Sequence, residues 1–153
     1  MAQSLMSEEK EESLLCEILE AFPEGEADLK TYSPLALAFL GDAIYSTIIR
    51  TIVVLKGNRQ AEKLHKETTK YVSAQGQAKI ADAIQPYLSE EEAKIYRRGH
   101  NANPYHHAKN ATFEEYRKAT ALEVLCAYLY LKHETKRFLA LLKIGQDVLE
   151  EEQ

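Results

Sequence analysis

The amino-acid sequence predicts an all-α protein, and two observations carry that prediction. Apolar residues recur at spacings of three and four along most of the 153 residues, with no stretch of strict apolar–polar alternation. Punctuation is sparse, with only four prolines and six glycines, so long helices are free to form. The length suits one domain with a substantial core.

Taken in order, the first helix is predicted over residues 8–21 and is followed by the turn sequence FPEGEAD. Ser33-Pro34 then supplies an N-cap and a first-turn proline for a helix running to about Leu55, where Lys56-Gly57-Asn58 ends it. A third helical stretch spans residues 59–85, with Gly76 as the expected break and Pro86 as the stop. Ser89 followed by three glutamates opens a fourth helix, with acids at the positive end of its dipole, and this helix fades at Gly99. The segment GHNANPYHHAKNAT, residues 99–112, lacks apolar periodicity and reads as an exposed loop that is mobile in the free protein. Thr112 caps a fifth helix to about Lys132, and residues 134–149 form a final amphipathic helix. Residues 1–28 read as an acidic helical extension and 29–150 as the functional domain.

Charge is segregated. Residues 7–28 hold nine acids and one lysine, residues 147–152 hold four acids, and residues 29–146 hold 18 Lys/Arg against 11 Asp/Glu, so a chain of net charge −5 has a body at +7. A basic body is compatible with binding phosphates, although a solvated helical surface explains the charge equally well. No uncharged run reaches the roughly 18 to 20 residues needed to cross a bilayer, and the N-terminus, MAQSLMSEEKEESLL, is acidic where a secretory signal is basic and then apolar. These features predict a cytoplasmic protein with no membrane contact. Cys16 and Cys126 sit in apolar helical patterns and are expected to be reduced, small core residues.

Two carboxylates stand out. Asp42 is the single charge in LALAFLGDAIYSTII, residues 35–49, and a helical wheel puts it on a face with Leu35, Ala38, Tyr45, Ile49 and Val53 that is expected to be buried. An N-cap role after Gly41 lacks support, because Tyr45 stands where a capping box needs Glu or Gln. Glu123 is the single charge in ATALEVLCAYLYL, and its same-face neighbours Ala119, Thr120, Cys126 and Ala127 are small enough for a helix or an ion to approach closely. Buried carboxylates need compensation. One solution pairs each with a basic residue, Arg50 and Arg117 being the candidates. The other shares a divalent cation between them. Magnesium, or manganese in its place, takes one or two carboxylates and completes its shell with water and substrate phosphate oxygens, which is the chemistry of metal-dependent nucleases.

The same two segments carry a resemblance. LALAFLGDAIY is similar to the signature helix of the ribonuclease III family, usually E-R-L-E-F-L-G-D-A, and YRKATALEVLCAYLYL resembles that family's second acidic helix, D-x-F-E-A-I-I-G-A-I-Y-L. The likeness is closer to the Mini-ribonuclease III branch, which lacks a double-stranded-RNA-binding domain and has R-R-G-x-N-A and Y-R-x-A-T before the second helix. This chain has Arg97-Arg98-Gly99-His100-Asn101-Ala102 and Tyr116-Arg117-Lys118-Ala119-Thr120 there. The resemblance covers residues 33–132 and places the two retained family acids on Asp42 and Glu123. The other two fall on Ala38 and Thr120, a reduction the branch shares. Leu122 replaces a usual Phe, and HNANPYHH is less basic than the branch's loop. The resemblance implies a helical homodimer that cuts double-stranded RNA with magnesium, leaving 5′-phosphate and 3′-hydroxyl ends, with precursor of large-subunit ribosomal RNA as substrate.

Arg97, Arg98, Lys109, Arg117 and Lys118 surround the loop, with His100 and Asn101 at its start and His106 and His107 within it. These residues suit phosphate contacts on a duplex read by shape, and no aromatic ladder for single-stranded bases is evident. A second copy of the chain is expected to cover the apolar 119–131 helix together with Ile44 and Ile48. Two other classes remain open on the residues alone. One is a ferritin-like carboxylate bundle, for which Glu62-Lys-Leu-His65 is half of the required motif. The other is a non-enzymatic helical interaction module with salt-bridged carboxylates.

Overall fold

Serine and threonine hydroxyls begin most of the helices. The computed structural model describes residues 13–23, 28–102 and 112–152, and among them are seven α-helices, two short 3-10 turns and no strand. The chain divides into two compact units, Met1–Thr31 and Tyr32–Gln153. In the first, α1 (Leu14–Ala21) starts where Ser13 Oγ accepts a hydrogen bond from the Cys16 amide at 3.2 Å, and a 3-10 turn covers Leu29–Thr31. The predicted start near Glu8 lies outside the described residues.

The second unit opens with α2 (Pro34–Leu55), capped as expected by Ser33, whose Oγ accepts from the Ala36 amide at 3.1 Å. By length and composition alone this helix could cross a membrane. It carries Asp42 and Arg50, however, and the stripe Leu37, Gly41, Tyr45, Ile49 and Val53 is buried against the rest of the unit, so it serves as a core helix.

The next stretch departs from expectation. It breaks at Ser73, giving α3 (Ala61–Val72) and α4 (Ala74–Ile84), and Gly76 lies inside α4. Ser73 is extended, and its hydroxyl accepts from the Gly76 amide at 3.1 Å, so the side chain competes with the helix and restarts it. Gly76 is there for space, because a Cβ would lie 2.9 Å from the Lys70 carbonyl carbon. Arg59 is not helical either. Its guanidinium turns back to the Val53 carbonyl at 3.1 Å and to Glu67 at 2.5 Å.

Pro86 closes α4 through a 3-10 turn, Gln85–Tyr87. A capping box then starts α5 (Glu90–His100): the Glu92 amide donates to Ser89 Oγ at 3.1 Å and the Ser89 amide to Glu92 Oε1 at 2.8 Å. This helix ends at His100, one residue past the predicted stop at Gly99. A Cβ there would lie 2.8 Å from Ala121 Cα, so Gly99 marks a close helix crossing. Thr112 and Glu115 form a second capping box for α6 (Phe113–Leu131), and α7 (Thr135–Glu151) ends the unit.

Helix α6 is central, with α2, α4 and α5 packed around it and α7 lying mainly on α4. This explains its unbroken apolar run: residues 119–122 and 124–130 are buried within one copy of the chain. The helix therefore offers no free face to a second copy, contrary to the sequence-based expectation. The two most exposed large apolar side chains described in this unit are on α2, where Phe39 is 84% and Leu55 80% exposed. Cys126 is a buried thiol.

Candidate active site

The site is built on a crossing of α2 and α6 at Gly41. A Cβ on Gly41 would lie 2.6 Å from the Glu123 carbonyl carbon and overlap its oxygen, so the two backbones touch. Only glycine permits that approach. The next residue is Asp42, and the contact sets its carboxyl within hydrogen-bonding reach of Glu123, 81 residues later.

Their environments differ. Glu123 is half-buried, and its carboxyl is pushed up to about 8, first by burial, then by the Asp42 charge and hydrogen bond, with a hydrogen bond from Gln77 working in the other direction. Asp42 is exposed, which corrects the expectation of a buried residue. The buried stripe follows Gly41, Tyr45 and Ile49, and Asp42 lies 100° round the helix from Gly41, on the flank of that face.

Among the described residues neither carboxylate has an ion pair. Arg50 Nε bonds Ser46 Oγ at 3.1 Å, and Arg117 is held elsewhere. Two oxygen-donor groups brought together, one reluctant to ionise and one open to solvent, fit a hard divalent cation that keeps water and substrate in its remaining positions. Ala38 and Thr120 add no ligand: the Thr120 hydroxyl donates to the Tyr116 carbonyl at 3.1 Å. No group of three or more His, Cys, Asp or Glu among the described residues is placed to hold a metal ion, and Glu62 and His65 are exposed on α3, which does not suit the ferritin-like reading.

Behind Glu123 stand Tyr45 and Cys126. The Tyr45 hydroxyl donates to the Tyr71 carbonyl at 2.7 Å, tying α2 to the end of α3. Burial raises both its phenol and the Cys126 thiol far above their ordinary values, so neither ionises near neutrality. Sequence reasoning passed over Gln77, which reaches Glu123 from α4. A signal existed, since Gln77 is the one polar residue in the buried stripe Gln77, Ile80, Ala81, Ile84.

The residues expected at RNA divide into two groups. Arg97 is exposed and has no hydrogen bond or ion pair among the described residues, and Arg98 Nη2 donates to the Tyr32 carbonyl at 3.0 Å. The others hold one another. Arg117 donates from Nε to the His100 carbonyl at 2.9 Å and from Nη2 to Asn101 Oδ1 at 3.1 Å, with His100 Nδ1 also 3.1 Å away. His100 Nε2 lies 2.6 Å from Glu114 Oε1, so a neutral His100 donating from Nε2 and accepting at Nδ1 satisfies both neighbours. Lys118 pairs with Asp82 at 3.0 Å. The Arg117 and Glu114 contacts with His100 and Asn101 fasten the end of α5 to the start of α6, at the two ends of residues 103–111, while Lys118 ties α6 to α4. Lys109, His106 and His107 lie outside the described residues, as does most of the predicted mobile loop.

A family model described as the Ribonuclease III domain matches residues 35–134, which include the crossing, both carboxylates and the fastened ends. The chain belongs to the ribonuclease III family: it is an endoribonuclease of double-stranded RNA, in a family that generally depends on a divalent metal. Its relatives narrow this to the Mini-ribonuclease 3 branch. Mini-ribonuclease 3 of Clostridium tetani is 42% identical over 125 residues, 81% of this chain and 83% of that protein. Mini-ribonuclease 3 of a Thermoanaerobacter species is 46% identical over 119 residues, 78% and 84% of the two chains. A crystal structure of a Fusobacterium nucleatum protein superposes with a TM-score of 0.72 at 34% identity, covering 78% of this chain and 97% of that one.

Proposed function

We propose that Asp42 and Glu123 together hold the divalent cation, magnesium with manganese as a substitute, and that the enzyme is a cytoplasmic homodimer maturing precursor of large-subunit ribosomal RNA. The observation that carries the site is the backbone contact at Gly41, which brings two carboxylates together with no protein cation between them among the described residues. When bound, the cation acidifies the attacking water and offsets negative charge at the phosphodiester. Half-buried Glu123 is the deeper ligand and must lose its proton before it can serve. Asp42 faces solvent, and so faces the duplex.

Residues 29–150 form the catalytic domain, with 1–28 as an acidic extension. Arg97 and Arg98 contact phosphates directly, with Lys109 between the fastened ends. Arg117, His100 and Asn101 keep those ends in register, and Lys118 adds positive charge beside them. Support for the homodimer comes from Phe39 and Leu35, exposed apolar side chains one and two turns before Asp42. A second copy seated there would bring two carboxylate pairs to the two strands of one duplex.

The test incubates the protein with a long RNA duplex and with single-stranded RNA, each with magnesium and with chelator. The expected result is cleavage of the duplex alone, in magnesium alone, and its near-abolition in Asp42→Asn and Glu123→Gln. Undiminished cleavage by either variant would refute the shared site.

A further inference from the structure

We propose that Gln77 is a positioning residue of this centre, holding the Glu123 carboxylate turned toward Asp42 so that both present oxygens to one cation. The inference rests on the assignment of Asp42 and Glu123 as the metal-binding pair. Gln77 is 4% exposed, and its Nε2 donates to the Ala119 carbonyl at 3.3 Å. Ala119 lies one helical turn before Glu123, and side chains on a helix lean back over the preceding turn. A carboxamide has two N–H donors, so with one on the Ala119 carbonyl the other is placed on the side of α6 that carries the Glu123 carboxyl.

Packing does not explain this arrangement. The Ala119 carbonyl sits mid-helix, where α-helical geometry already pairs it with the Glu123 amide, so it needs no second donor. The neighbours of Gln77 on the buried face of α4 are Ile80, Ala81 and Ile84, among which leucine would fit and would avoid burying an amide. What the amide adds is a buried donor on the turn of α6 over which Glu123 leans. Its place is built in from two sides: the Ser73 hydroxyl sets where α4 begins, and Gly76 lets that first turn press against the Lys70 carbonyl. A hydrogen bond that orients a metal-binding carboxylate typically contributes about 10- to 100-fold in metal affinity.

The test uses Gln77→Leu and Gln77→Met, which keep volume and remove the donors. Manganese binding is titrated without RNA, and the magnesium concentration giving half-maximal cleavage is measured. Both variants should bind manganese about tenfold more weakly or worse and need correspondingly more magnesium, while duplex affinity without metal and the melting temperature stay at the parent's values. A folded variant that matches the parent in both metal titrations overturns the proposal. In the parent itself, the Gln77 side-chain amide resonances should shift as magnesium is added, and unmoved resonances also overturn it, whichever variants fold. Asp42→Asn and Glu123→Gln are titrated alongside. If these lose manganese binding while the Gln77 variants keep it, the positioning role alone fails; if these keep it, the assignment of the pair fails.

Discussion

Replacing Gly41 by alanine tests whether the site depends on two backbones touching. The added Cβ would lie 2.6 Å from the Glu123 carbonyl carbon and 3.0 Å from its Cα, where ordinary contacts are 3.4–4 Å. Because the obstacle is backbone, α2 and α6 must separate by roughly 1 Å. Overpacking of this kind costs about 1–3 kcal/mol, and alanine's better helix propensity returns about 1 kcal/mol. The net loss, up to about 2 kcal/mol, lowers the melting temperature by up to roughly 4–8 °C in a protein of this size. The effect on chemistry is larger, since a ~1 Å misplacement of reacting groups costs about 100-fold in rate. Gly145→Ala is the comparison: its Cβ would meet the Ile80 Cγ2 methyl at 2.7 Å and the Ile80 Cα at 3.3 Å, an overpacking of α4 against α7 that should cost stability without moving the α2–α6 crossing. Melting is followed by circular dichroism and cleavage by gel. If Gly41→Ala melts and cuts like the parent, the helices do not touch where the account requires.

Glu123, raised to about 8 by burial and Asp42, retains in the folded state a proton that the unfolded chain releases near 4.5. Metal-free stability should therefore be greatest below that range and fall as pH rises through about 8, by up to about 5 kcal/mol. Urea unfolding in chelator at several pH values measures this, and Glu123→Gln should flatten the dependence. Replacing Arg97 and Arg98 together by alanine should weaken duplex binding across sequences and reduce the slope of log affinity against log salt by about 1 to 2, while manganese titration stays unchanged. Equal affinity at every salt concentration would place the duplex elsewhere. Phe39→Asp should convert the dimer to a monomer by light scattering, and a parent already monomeric at micromolar concentration would refute the dimer.

The helix starts were legible because they rest on local chemistry. Ser33-Pro34, Ser89 with Glu92, and Thr112 with Glu115 are caps that any chain segment makes with its own backbone. The two carboxylates stood out as lone charges in apolar helices, and the cost of burial that singled them out holds for half-buried Glu123 but not for exposed Asp42. What depended on other helices was not. Gly76 read as a break because glycine is a poor helix former, yet its missing side chain serves a neighbour six residues back, and the true break is Ser73. Arg117 read as a phosphate contact because nothing in sequence brings it to His100 and Asn101. The α6 helix read as a dimer surface because periodicity cannot tell burial by neighbouring helices from burial by a second chain. Asp42 was assigned to the right helix and, by one residue of rotation, to the wrong side of its buried stripe.

The most direct test of the central claim is anomalous diffraction from crystals soaked in manganese. The account predicts a single strong peak about 2.0–2.3 Å from a carboxylate oxygen of both Asp42 and Glu123. A peak bound to only one of the two, or one sited away from both while the soaked enzyme still cuts duplex RNA, would contradict it.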